Sequence, residues 1–433
     1  MRIETLKEVI LSNEEYIKKN QVKIIERDNI LFPTLGGKVV ILYGVRRSGK
    51  TFILYDQFLK NCDRAIYIDF EDDRMVNFHL EDFEKLKGAV LELKPELAEK
   101  KIFFLFDEIQ NVPGFEKFAR RMVEHENAQI YVSGSSSKLM PSQISTVLRG
   151  RSWNIEVLPF SFKEFLKALD IEINKSVITT NYKSLIKRNF LNFLIWGGFP
   201  EIVLAKTEFE KKKILKEYLN AMFFKDLVEK YEISNIPLLN VLFDQSFSSY
   251  STKLSLTALY KQYKDKLPFS KDSLFEYHRY FLESMLIFEV RKFSESMYKR
   301  TRNPAKLYLV DVGLAKDTIS PNFGKRLENI VFIELKRRGY EIYYFDERGE
   351  CDFIVKKDNE FNAIQVSYEL NELNREREVK GLVEACKFLG TKRGIILTYD
   401  DEEKFKFDEI DIEFIPTYKW LLNLSWTSTN LNE

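Results

Sequence analysis

Cysteine and histidine are both scarce, with three of each in 433 residues. Cys62, Cys351 and Cys386 stand far apart, odd in number and outside any C-x-x-C spacing. That excludes a disulfide framework and a zinc site. Three histidines are too few for a His-rich metal centre. No run of about 18 apolar residues occurs. The N-terminus has no apolar signal core, so a cytoplasmic location is expected, with no membrane partner. A charge imbalance is missing too: Lys+Arg 67 meet Asp+Glu 66. Any face for nucleic acid must therefore come from uneven distribution. No internal repeat and no low-complexity run is evident. What the chain does have is 45% hydrophobic residues, including Phe 36 and Tyr 21, with 31% charged. This is the composition of an ordered chain, and its length predicts two or three domains.

Against that background one stretch stands out. Gly44-Val45-Arg46-Arg47-Ser48-Gly49-Lys50-Thr51 fits G-x-x-x-x-G-K-[ST], the phosphate-binding P-loop. The apolar run Val39 to Tyr43 before it predicts a buried parallel strand. Phe52 to Lys60 after it predicts a helix. Strand, glycine loop and helix together turn backbone N–H groups and a helix N-terminus toward a phosphate chain. Gly44 and Gly49 permit backbone angles and approaches that a Cβ would hinder. All eight residues are expected to contact ATP. Lys50 is expected to reach the β- and γ-phosphates, and Thr51 to place its hydroxyl on Mg²⁺.

A second motif follows. Lys101-Ile102-Phe103-Phe104-Leu105-Phe106-Asp107-Glu108 is an apolar strand ending in two carboxylates. Ligands of an open parallel sheet bind beyond the carboxyl ends of its strands. Asp107 is therefore expected to hold Mg²⁺, directly or through water, and Glu108 to act as general base on the attacking water. Ala128 to Val132 predicts another strand, running into Ser133-Gly134-Ser135. A polar side chain there is placed to touch the γ-phosphate or the water. Arg149 and Arg151 precede a fifth strand, Trp153 to Val157. Either is a candidate arginine finger, in cis or in trans.

Alternating strands and helices with a P-loop on the first strand predict an α/β doubly wound sheet. At this point a family comes into view. GVRRSGKT, IYIDFED, FFLFDEIQ, IYVSGSSSKL and LRGRSWNIEVLPFSFKEFL resemble the archaeal and bacterial AAA+/STAND-like P-loop ATPases, over roughly residues 20–205. The resemblance implies that Asp107 and Glu108 are the Walker B pair. It also implies that Ser133 or Ser135 is the polar sensor, and that its arginine is Arg149 or Arg151.

Downstream, helices are expected at Phe162 to Leu169, Tyr182 to Trp196 and Lys211 to Lys230. They would form a lid broken by Gly197-Gly198-Phe199-Pro200. Residues 252–306 carry 12 basic against 6 acidic residues. They read as helix, turn, helix (Lys271 to Leu286) and two short strands. That is a winged helix, which lays its second helix in the DNA major groove. Candidate contacts include Ser270, Lys271, His278, Arg279, Lys299, Arg300 and Arg302. From Asp311 the texture changes again. An amphipathic helix holding Glu328 and Glu334 precedes three strands with charged turns. The segment resembles the PD-(D/E)xK, restriction-endonuclease-like nuclease fold. The resemblance implies a site of Glu334, Asp352 and Gln365. Its lysine position is Ser367 here, with Lys380 on the following helix the only nearby substitute, so the domain is read as non-cleaving.

The expected layout is therefore a P-loop domain over 1–160, a helical lid over 161–235, a winged helix over 236–310 and a nuclease-like domain over 311–433. The expected function is Mg²⁺-dependent ATP hydrolysis coupled to double-stranded DNA, a protein partner or a second copy of the chain. The alternatives are a slow nucleotide switch and an ATP-controlled nuclease.

Overall fold

Five short segments, four of them apolar runs, become parallel strands of one sheet. They are β1 (Val39–Tyr43), β2 (Ala65–Asp69), β3 (Ile102–Asp107), β4 (Ala128–Gly134) and β5 (Ser152–Glu156), in the order β2-β3-β4-β1-β5. Alternation along each strand sorts its side chains to two faces. Ile41, Phe104, Phe106, Ile130 and Val132 meet helices Asp82–Leu93 and Phe115–His125 on one face. Val40, Leu42, Leu105 and Tyr131 meet helix Lys50–Lys60 on the other. Burial on both sides is why β1 to β4 read as near-continuous hydrophobic runs, whereas β5 at the sheet edge is less buried.

The computed structural model describes residues 1–19, 23–134, 139–173, 180–294, 296, 303–317 and 320–424. They divide into two compact units, Met1–Leu158 and Pro159–Glu433.

The second unit opens with helices, each begun by a polar cap. Ser161 and Glu164 form a reciprocal capping box for Phe162–Ala168, and Thr207 and Glu210 do the same for Glu208–Ala221. The helix expected over 211–230 thus starts earlier, and it widens into a π-helix at Met222–Glu229. The Gly197-Gly198 turn wraps a buried carboxylate. Asp311 accepts from Gly198 N at 2.7 Å and Gly313 N at 2.8 Å. Gly197 has φ +75°, and a Cβ there would overlap Asp311 Oδ1.

The rest of this unit is built on nine strands: β6 (Thr252–Leu254), β7 (Ile287–Lys292), β8 (Ala305–Leu309), β9 (Glu341–Asp346), β10 (Glu350–Lys357), β11 (Glu360–Ser367), β12 (Arg393–Thr398), β13 (Glu403–Phe407) and β14 (Ile410–Pro416). Their order is β13-β14-β12-β11-β10-β9-β7-β8-β6. Helices Leu256–Tyr263 and Lys271–Glu283 lie between β6 and β7 in the chain. β7 pairs with β9 through Arg291↔Tyr343 and Lys292↔Tyr344, so residues before and after Asp311 share one sheet. Among the described residues, no helix is long and apolar enough to cross a membrane.

Candidate functional site

The P-loop leaves β1 at Gly44, whose φ is +151° and whose missing Cβ would collide with Val157 O. Val157 N donates to Tyr43 O at 2.8 Å, which fixes that close approach. Gly49, φ +99°, turns the chain into helix Lys50–Lys60. Val45 is buried, Arg46 stands 3.9 Å from Glu71, and Arg47 has φ 69°. Ser48 is fully buried, and its hydroxyl finds no hydrogen-bond partner among the described residues. A buried polar atom without a partner fits a loop shaped for a polar ligand. Arg27 braces the loop from behind, donating to Ser48 O at 3.0 Å and Leu158 O at 2.5 Å. Lys50 is 5% exposed, and its ammonium donates back across the loop to Gly44 O at 3.1 Å and Val45 O at 3.0 Å.

Three more strand ends meet beside the loop. Asp107, 3% exposed, takes a hydrogen bond from Tyr67 Oη at 3.0 Å on Oδ2 and one from Ser133 Oγ on Oδ1. The Thr51 hydroxyl lies near this carboxylate and favours its ionised form. Burial pushes the Asp107 carboxyl up, while the three hydroxyls hold it down. Thr51 and Asp107 are thus adjacent oxygen donors, the hard ligands Mg²⁺ requires. Asp69 pairs in register with Asp107, and burial together with the neighbouring carboxylates pushes it up to about 6. Glu108 has left-handed backbone, φ 49°, and the Gln110 side-chain amide donates to its Oε2.

Arg149 and Arg151 take a different place. Val39 N donates to Arg151 O at 2.8 Å, and β5 begins beside Val39, so both arginines stand at the amino end of the sheet. About 16 Å of strand, at roughly 3.3 Å per residue, separates that end from the P-loop. Arg151 pairs with Glu124 at 3.2 Å. Neither arginine can serve as a finger to its own chain's loop. Ser135 lies outside the described residues; Ser133 is the serine that reaches Asp107.

In the second unit, Ser270 caps helix Lys271–Glu283, and Lys271 is exposed on its first turn. Arg279 is 61% exposed, with Glu276 at 3.7 Å and Glu283 at 3.5 Å. His278 is not on that surface. It is 4% exposed and its Nε2 bonds Glu289 of β7 at 2.7 Å, so it is a core residue. Lys299, Arg300 and Arg302 lie outside the described residues.

Glu334 is set apart from Asp352. It pairs with Arg338 at 2.8 Å and Arg337 at 3.3 Å. Six residues along a helix is about 240° of rotation, so Glu334 and Glu328 face different ways. Glu328 is the acid beside Asp352, and Lys306 of β8 lies between them, 3.2 Å from Glu328 and 2.8 Å from Asp352. Gln365 accepts from Asp352 N at 2.9 Å, and Ser367 donates to Glu369 O at 3.1 Å. Lys380 is exposed and pairs with Glu376 at 2.5 Å on its own helix.

The sequence motif did not reveal Arg27, Tyr67, Gln110 or Lys306. The polar residue inside the apolar run Ile66-Tyr67-Ile68 was the available signal for Tyr67; nothing local marked the others.

The loop on β1 and the acid on β3 define an AAA-type P-loop protein, and a model of the AAA domain matches residues 36–166. Models of two domains of unknown function, DUF8612 and DUF4143, match 187–321 and 323–420. Uncharacterized protein MJ1544 of Methanocaldococcus jannaschii is 40% identical over 434 residues, covering 96% of this chain and 94% of that protein. The chain belongs to the same family as that archaeal protein. An uncharacterized protein of Haemophilus influenzae is 27% identical, covering 92% of this chain and 99% of the relative. Among solved structures, the Walker-type ATPase PABY2304 of Pyrococcus abyssi is 14% identical with a TM-score of 0.43, over 70% of this chain and 93% of that one. The Aeropyrum pernix ORC2 protein is 10% identical with a TM-score of 0.40, over 75% and 92%.

Proposed function

We propose that the Met1–Leu158 unit binds ATP with Mg²⁺ and hydrolyses it. The observation that carries this reading is the meeting of Thr51, Asp107 and Ser133 beside a P-loop with a buried, unpartnered Ser48 hydroxyl. Thr51 and Asp107 would hold Mg²⁺, which when bound offsets phosphate charge. Lys50 exchanges its two carbonyl partners for phosphate oxygens. The loop amides from Val45 to Thr51 cradle the phosphates. Glu108, once freed from Gln110, polarises the attacking water. Ser133 keeps Asp107 oriented while it holds the metal. Steady-state hydrolysis in wild type and Lys50→Ala tests the reading. Turnover should vanish in the variant, and unimpaired turnover there would refute it.

The Pro159–Glu433 unit supplies the engagement surface in this proposal. Helices Leu256–Tyr263 and Lys271–Glu283 with strands ordered β7-β8-β6 support a winged helix over 236–310. Lys271 and Arg279 are exposed basic residues on its second helix, placed for double-stranded DNA. A transition-state arginine would come from a second copy or a partner chain. A slow nucleotide switch is the second reading, favoured by the Gln110 hold on Glu108. An unchanged slow rate in Glu108→Gln would select it.

A further inference from the structure

The second unit contains a cleft of about 1380 Å³ whose floor includes Lys306, Glu328, Asp352, Gln365 and Glu378. The Glu328 and Asp352 side chains are only 13% and 10% exposed, and both point at the Lys306 ammonium, itself 6% exposed. The surrounding partners are taken. Asp352 Oδ2 accepts from Val366 N at 3.0 Å, and Glu328 Oε1 also accepts from Tyr308 Oη at 2.7 Å. Gln365 uses its oxygen on Asp352 N, and its amide donates to Glu378. Its acceptor therefore faces the backbone and not the carboxylate pair.

Two buried carboxyl groups converging on one point must be compensated there by a proton or a cation, because an uncompensated buried charge is far too costly, and here the Lys306 ammonium lies against both. Only a protonated side chain or a bound metal ion fits such a seat. We infer that the Lys306 ammonium is the resident cation of the Asp352–Glu328 seat, filling the position a divalent ion would need and keeping this cleft metal-free. The ammonium stands about 3 Å from the oxygens, whereas Mg²⁺ or Mn²⁺ must approach to about 2.0–2.2 Å at that same point. The two occupants exclude each other. Acidic side chains also outnumber basic ones around the cleft, so a phosphodiester meets no metal and a net acidic lining there. The inference is independent of ATP hydrolysis.

Electron paramagnetic resonance of Mn²⁺, titrated into nucleotide-free full-length protein, tests it. Wild type and Asp352→Asn should bind Mn²⁺ alike. Lys306→Met should gain one equivalent of bound Mn²⁺, and Lys306→Met/Asp352→Asn should lose it. Wild-type binding that Asp352→Asn removes would overturn the inference, as would a folded Lys306→Met that gains nothing. If Lys306→Met folds only with Mn²⁺ present, that rescue supports the exchange. If it does not fold at all, the wild-type comparison decides alone, with identical Mn²⁺ uptake in wild type and Asp352→Asn as the supporting result.

Discussion

Asp107 has its carboxyl pushed up from its ordinary value, burial being the largest cause. Burial favours the neutral acid, and the hydroxyls of Ser133, Thr51 and Tyr67 oppose that. Tyr67→Phe removes one of them. The acidic limb of the Mg²⁺-ATPase pH profile should then move to higher pH, read from kcat/KM between about pH 5 and 8. Glu328 is pushed the same way: burial first, and Asp352 second, hold its carboxyl well above the usual carboxylate range. A folded-state value above the unfolded one means stability that is present at low pH and lost as pH rises through the folded-state value. The wild-type unfolding midpoint should fall between about pH 5 and 8 by a few degrees more than that of Glu328→Gln, measured by differential scanning calorimetry. Lys50, Thr51 and Asp107 were legible in the sequence because each motif is contiguous and its chemistry admits few other residues. Lys306 was not, since its partners lie 22 and 46 positions away and meet it only through the sheet. Glu334 is not the acid beside Asp352, because one helix offers two faces, and the local pattern does not say which one looks at Asp352. His278 went wrong similarly: the expected basic face took no account of Glu289 on β7.

Elements carry a different kind of constraint. The Gly197-Gly198 turn exists to admit Asp311, whose fully buried carboxyl burial pushes up to about 6 while two backbone N–H groups hold it down. Gly197→Ala adds a Cβ at φ +75° that overlaps the carboxylate. It should cost about 2–3 kcal/mol, seen in urea denaturation as a lower midpoint with an unchanged m-value. The sequence marked this turn as a breaker without revealing its purpose, because the partner is more than a hundred residues away. β1 to β4 were readable because burial on both faces leaves an apolar run. β13 escaped notice because, as Glu403-Lys404-Phe405-Lys406-Phe407, it is mostly exposed at the sheet edge. The π-helix at Met222–Glu229 was invisible too, since its hydrophobic spacing is close to that of an α-helix.

On the scale of the whole molecule, the proposal makes ATP turnover responsive to DNA. Lys271→Glu/Arg279→Glu should abolish any stimulation of hydrolysis by double-stranded DNA while leaving the DNA-free rate in place. The wild-type effect should weaken steeply between about 50 and 200 mM salt, as phosphate contacts do. Lys261, Lys264, Lys266 and Arg291 are exposed in the same segment, and equal stimulation in the double variant would move the contact surface to them or elsewhere.

Residue texture changes at Asp311, yet the sheet runs straight through, with Phe293 N donating to Tyr344 O at 2.7 Å beside the β7–β9 pairs. A chain cut at residue 310 would strip β7 of that neighbour, and the complementary fragment would leave the edge of β9 equally bare. Open strand edges recruit other chains. The place where the composition invites scissors is therefore where two halves made separately should clump, and where a joint expression of both should find its own lost partner.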